Sequence, residues 1–194
     1  MLNVAENMKL GIVAGLMAVT VVSFWAADAV RPTAGSSSPT EPLPTPAAAK
    51  AKRELVFLDS WDGVRLKKPD AIWKSELSEL EYYVLRNEGT ERAYTGELTD
   101  NKVEGTYHCN ACGLAVFSSR HKYDSETGWP SFFQPIANKH VGEKVDRSIP
   151  EEIRTEVHCR RCGGHLGHVF DDGPEPTGLR YCINSVSLRF RAKK

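Results

Sequence analysis

Four of the five cysteines fall into two C-x-x-C pairs, Cys109/Cys112 and Cys159/Cys162, and one, Cys182, stands alone. A thiolate is both a nucleophile and a soft metal ligand, so the two groups point to two different chemistries. Cys182 lies in the run Gly178 to Phe190, GLRYCINSVSLRF, whose aromatic, β-branched and polar residues predict a strand. Alternate side chains of a strand share a face, which sets Arg180, Cys182 and Asn184 side by side. A guanidinium beside a thiol favours the thiolate, lowering its pKa from a free value of about 8.5. The competing reading of an isolated cysteine is a small, inert core residue.

The paired cysteines occur in matching contexts, YHCNACG and VHCRRCG. Four sulfurs in two such pairs make a closed tetrahedral site suited to one structural Zn2+. The 46 residues between the pairs exceed the usual zinc-ribbon interval, so the fold must bring two distant hairpins together. Two disulfides, or a redox C-x-x-C, are the alternative if the chain is exported. His108 and His158 each precede a pair and read as framework residues, because four thiolates already fill the site.

Two more stretches carry chemistry. In Gly163-Gly164-His165-Leu166-Gly167-His168-Val169-Phe170, two imidazoles three residues apart sit among glycines, suited to proton transfer or ligation. The zinc-helix glutamate is absent and the glycines argue against a helix. In FSSRHKYDSETGWPSFFQPI, Gly128-Trp129-Pro130 makes a rigid turn, on which Trp129 either walls an apolar pocket or joins the core.

These groups need a framework, and the chain supplies one that is mainly β with a helical start. Ser78-x-x-Glu81 forms a capping box, with Leu77 and Tyr82 as a hydrophobic staple and Gly89 as a stop, predicting a helix over 79–87. Upstream, Pro69 and Asp70 open a shorter turn whose Ile72 and Trp73 are expected on the core. A loop from Gly89 leads into a strand ending at Cys109. VGEKVDRSIPEEIRTEV predicts two strands with a turn near Pro150.

Of the 194 residues, those from Arg53 onward suit one domain, 53–194, with a real core. Charges balance at 25 against 25, so no nucleic-acid footprint is present. Leu10 to Ala27 is an uncharged apolar run after Lys9, followed by the small-x-small pattern Ala27-Asp28-Ala29. It reads as an export signal within 1–29, either cleaved or kept as a membrane anchor, and places the chain in a bacterial-type periplasm or on the outer side of a membrane. Residues 30–52 are a disordered Pro/Ala/Ser linker.

Taken together, CNACG, SSRHKYDSETGWPSF, CRRCGGHLGHVFDDGPEPTG and RYCINSVSLRF resemble the B-type methionine sulfoxide reductases from about Asp70 to Phe190. The resemblance implies two antiparallel sheets and zinc on the four paired cysteines. It implies reduction of the R epimer of methionine sulfoxide in proteins or peptides, with Cys182 as the nucleophile that becomes a sulfenic acid. His165, His168 and Asn184 match residues that assist at the sulfoxide oxygen. Trp129 matches the indole on the substrate methyl, and Phe170 and Arg180 match pocket positions. The sequence departs from many relatives at Thr127, which stands where they carry a second, resolving cysteine. That departure implies recycling by an external thiol, either a thioredoxin-like protein or a small thiol. The alternatives are a zinc-ribbon binding module and a catalytically inert reader of oxidised methionine.

Overall fold

The computed structural model describes residues 54–194. The expected export segment and linker lie outside the described residues. Among the described residues, no helix is long and apolar enough to cross a membrane.

Helix α1 (Asp70–Glu76) leads through Leu77 to α2 (Glu79–Asn87). The capping box forms as expected: the Ser78 hydroxyl accepts from the Glu81 backbone, and the Glu81 carboxylate accepts from the Ser78 backbone. Glu88, rather than the expected Gly89, takes the left-handed conformation that ends α2. Trp73 is buried as expected, whereas Ile72 is exposed. On a seven-residue helix adjacent side chains point about 100° apart, so one neighbour of a buried residue faces water.

Among the described residues, nine strands follow in two antiparallel sheets. The first, in the order β2-β1-β9, comprises β1 (Gly105–Cys109), β2 (Ala115–Ser118) and β9 (Leu188–Ala192). The second has the order β3-β4-β8-β7-β6-β5. Its strands are β3 (Lys122–Tyr123), β4 (Ser131–Phe132), β5 (Val141–Ile149), β6 (Glu152–Cys159), β7 (His165–Phe170) and β8 (Arg180–Ile183). An aromatic seam joins the sheets. Phe117 of β2 stacks on Phe132 of β4 with centroids 4.5 Å apart, and Tyr107 of β1 meets Phe132 edge-on at 5.0 Å. Contacts of this kind add about 0.5–1.5 kcal/mol each beyond the apolar area they bury.

The run Gly178 to Phe190 is not the single strand expected. It divides into β8 in one sheet and β9 in the other, joined by a 3-10 turn at Ser185–Ser187. Within β8 the alternation holds: Tyr181 and Ile183 are buried in the core, while Arg180 and Cys182 face the other way. Asn184 lies past the strand end, at the start of the turn.

Candidate active site

Cys182 sits in the middle of a polar row that crosses the six-stranded sheet. It pairs with Ser131 of β4 on one side and His168 of β7 on the other. Ser131 in turn pairs with Tyr123, His168 with Glu156, and Glu156 with Lys144. Directly opposed residues of antiparallel strands share a face, so one surface of the sheet carries all six side chains.

Strand β7 reaches this arrangement through a bulge. Glu156 pairs with His168, but two residues further along β6 His158 pairs with His165, three residues back on β7. The extra residue turns both imidazoles to the same face, where a regular strand would oppose them. Their rings meet edge-on at 5.3 Å. Gly167 between them admits β8, since a Cβ there would lie 2.0 Å from the carbonyl oxygen of Cys182.

A small cleft of about 110 Å³ opens over the thiol, lined by Trp129, His168, Phe170, Cys182 and Asn184 together with Thr90, Arg154 and Gly167. At about 30 Å³ per water, this holds the end of a side chain and not a large ligand. Trp129 is half-buried and forms a wall, its ring fixed by donation from Nε1 to the Glu91 carbonyl at 3.1 Å. The turn beneath it needs Gly128, whose φ is +88° and where a Cβ would strike Tyr94. Asn184 enters from the turn, its Oδ1 accepting from the Glu91 backbone at 2.9 Å and its Nδ2 donating to the Leu166 carbonyl at 3.1 Å. One amide hydrogen of Asn184 is left over for the cleft.

Two expected site residues stand behind the cleft. His165 is 1 % exposed and is not among the cleft-lining residues; its Nδ1 lies 3.0 Å from Glu156 and its Nε2 has no hydrogen-bond partner among the described residues. Arg180 forms a bidentate pair with Asp172, both contacts 2.8 Å, and its guanidinium lies 4.3 Å from the Phe170 ring centroid. It orients that ring as well as facing Cys182.

The electrostatics differ from the expected low thiol pKa. Burial pushes the Cys182 thiol up, and the opposing pulls of the Thr127 hydroxyl, Arg180 and Ser131 do not overcome it. Burial likewise pushes His165 down to about 4 and lowers His168, the latter against its bond to Asp146. At neutral pH the resting site therefore holds a thiol beside neutral imidazoles.

Away from the cleft lining, the four remaining cysteines gather. They are free, buried, and have their ligand atoms within 4.8 Å of one another. Cys109 and Cys162 sulfurs stand 3.6 Å apart, as do those of Cys112 and Cys159. A disulfide needs about 2.05 Å, whereas a tetrahedron of 2.3 Å metal–sulfur bonds has edges of about 3.8 Å. The two turns repeat each other: Gly113 N–H donates to the Cys109 carbonyl at 2.7 Å, and Gly163 N–H to the Cys159 carbonyl at 2.8 Å. Hydrogen bonds from Cys109 and the other two thiols hold Cys112 far below the usual thiol range, while Cys109 is pushed well up through its bonds to Cys112 and the others. Four such groups ionise together only around a cation, and the donor set fits a metal ion.

The model of the SelR domain matches residues 77–192, which takes in both sheets and every residue described above at the cleft. The chain belongs to the B-type methionine sulfoxide reductases. Peptide methionine sulfoxide reductase MsrB of Leptospira interrogans is 56% identical over 126 residues, covering 65% of this chain and 95% of the relative. That of Thiobacillus denitrificans is 55% identical over 126 residues with the same coverage, and that of Hahella chejuensis 50% identical over 128 residues, covering 66% and 91%.

Within this B-type reductase fold, three residues stand at the site that no sequence pattern singles out. Glu91 is buried and accepts from the Ser185 and Val186 backbones at 2.6 and 2.9 Å, while its own backbone holds Asn184 and Trp129. Burial raises its pKa against the lowering effect of those two N–H groups. Asp146 and Arg154 pair with each other at 2.7 Å, and Asp146 also meets His168. The local signals were weak, since each reads as a surface charge beside other charges. Thr127 falls at the site itself, with its hydroxyl 3.8 Å from the Cys182 sulfur in a cluster with Ser125 and Ser131.

Proposed function

We propose that the chain reduces the R epimer of methionine sulfoxide, in proteins or peptides, to methionine, with Cys182 as nucleophile. The observation that carries this reading is a half-buried thiol at a cleft walled by Trp129 and Phe170 and faced by His168 and Asn184. A methylsulfinyl group has an apolar methyl and a strongly accepting oxygen, and the two sides of the cleft match them. The Cys182 sulfur attacks the substrate sulfur, the oxygen passes to Cys182, and methionine leaves. The sum of reactants, one thiol and one sulfoxide, equals one sulfenic acid and one thioether, so no external proton is consumed. Turnover of separated R and S epimers in a peptide, with a dithiol as reductant, tests the proposal: the R epimer is expected to be consumed, and equal rates for both, or none for either, would refute it.

Zn2+ is the ion we assign to Cys109, Cys112, Cys159 and Cys162, because all four donors are sulfur and the closed tetrahedral spacing leaves no open position. Its part would be to hold the turn after β1 against the turn after β6, remote from proton transfer. Residues 10–27 we take as an export signal or anchor, which would present the enzyme to oxidised proteins outside the cytoplasm.

The sulfenic acid must be returned to the thiol, and Thr127 bears on how. The four clustered sulfurs are buried and none lines the cleft, and at position 127 a hydroxyl stands beside Cys182. External thiol recycling follows, through a mixed disulfide with a small or thioredoxin-like dithiol. After one equivalent of substrate without reductant, intact mass is expected to show one added oxygen in the wild type. Thr127→Cys puts a second sulfur where Oγ1 now stands, and the same treatment is expected to give an internal disulfide with Cys182 and loss of two hydrogens. A wild-type disulfide between Cys182 and any clustered cysteine, formed at a catalytic rate, would overturn this recycling route.

A further inference from the structure

We propose that Asp146 is a positioning residue for the reaction: it fixes His168 in the tautomer with the proton on Nε2, leaving Nδ1 as the basic nitrogen of the ring opposed to Cys182 across β7 and β8. This rests on the functional reading above, and adds to it a source and a route for the proton.

The tautomer follows from counting donors around one carboxylate. Oδ1 of Asp146 accepts from the Ser148 backbone at 2.8 Å, a contact made possible by the irregular register of β5 and β6 beyond Asp146. Oδ2 accepts from Arg154 Nη2 at 2.7 Å and stands 2.8 Å from His168 Nε2. A carboxylate that already receives a guanidinium and a backbone N–H is ionised, and an ionised carboxylate only accepts. The hydrogen between it and His168 therefore belongs to Nε2. In a neutral imidazole the other nitrogen is then bare, and Nδ1 has no hydrogen-bond partner among the described residues.

The ladder places that ring where a base is needed. His168 and Cys182 are directly opposed on β7 and β8, with Cβ atoms of such pairs about 4.5–5.5 Å apart, and both line the cleft. The resting thiol carries its own proton into the reaction. As the Cys182 S–H bond breaks, Nδ1 takes the proton. The thiolate attacks the substrate sulfur, the sulfur–sulfur bond so formed breaks again as the oxygen passes to Cys182, the electron pair of the broken substrate S–O bond stays on the methionine sulfur, and the proton moves from Nδ1 to that oxygen. The transient imidazolium is flanked by the Asp146 carboxylate, which offsets the nearby positive charge of Arg154. His165, edge-on to the His168 ring, donates instead to Glu156, which Lys144 also meets at 2.7 Å.

The test uses the full, metal-loaded chain. Two-bond 1H–15N correlation spectra, with the His168 signals assigned by their loss in His168→Gln, are expected to show Nε2 protonated and Nδ1 bare in the wild type. Asp146→Asn is expected to change that pattern and lower kcat by about 10²-fold with KM within about threefold, while Asp146→Glu, which keeps the charge, recovers at least tenfold of the loss. A wild-type spectrum with the proton on Nδ1 overturns the proposal, whether or not the Asn variant folds. So does an Asn variant with kcat within twofold of wild type. A wild-type chain inert on both sulfoxide epimers would instead remove the functional reading, and the spectra would still report the tautomer.

Discussion

Cys182→Ser is expected to leave a folded chain that turns over methionine sulfoxide at least about 10⁴-fold more slowly, if at all. The reason lies in what the nucleophile must become. Sulfur accepts the oxygen atom as a sulfenic acid, while a serine oxygen would have to form an O–O bond, which no residue in the cleft makes favourable. The fold should tolerate the change. Cys182 is half-buried and already beside the hydroxyls of Thr127 and Ser131, so a serine joins an existing cluster, at a cost within about 1 kcal/mol. Dithiol-supported turnover measured alongside a thermal melt checks both halves. Residual activity above one part in a hundred, from protein free of wild type, would exclude Cys182 as the atom that receives oxygen.

Losing one of the clustered cysteines is expected to do more to the molecule and less that is specific to its chemistry. Cys159→Ser should unfold or aggregate the chain, and a strong chelator acting during refolding should have the same effect. A structural zinc contributes about 10–16 kcal/mol in small zinc peptides, against a total domain stability of about 5–15 kcal/mol. Here the cluster joins turns that belong to different sheets, so its loss frees the three-stranded sheet from the six-stranded one at that end. Metal analysis and circular dichroism on the same samples decide the matter. A folded, active protein that contains no metal and four reduced thiols would show that packing alone holds the two turns together.

What could be read from the sequence was what is local. The Ser78 and Glu81 capping box set the start of α2 because its partners lie within three residues. The clustering of the four paired cysteines was legible from residue type and spacing. The break between β8 and β9 was not, because it is fixed by distant groups: the Leu166 carbonyl and the Glu91 backbone hold Asn184 at the corner. His165 and His168 stood out as a pair, but only the β7 bulge reveals that they share a face and that His165 stands behind. Asp146 and Arg154 were hidden in a charged stretch that also describes a solvated hairpin. The chemistry of Cys182 was half legible: its cationic neighbour could be named, but the burial that outweighs it is a property of the assembled sheet.

The Glu91 junction bears on when the site comes into being. Its carboxylate is tied to backbone groups 94 and 95 residues further along the chain, and Trp129 is fixed to the same residue. Contacts between such distant parts of a chain carry a large loop-closure cost and form late in folding. During synthesis from the N-terminus, Glu91 emerges long before the turn it must hold and before Cys182. The pocket is thus among the last features to be completed, and a nascent chain that has not yet reached that turn lacks it. The cleft is complete only once Asn184 and Trp129 have both reached Glu91.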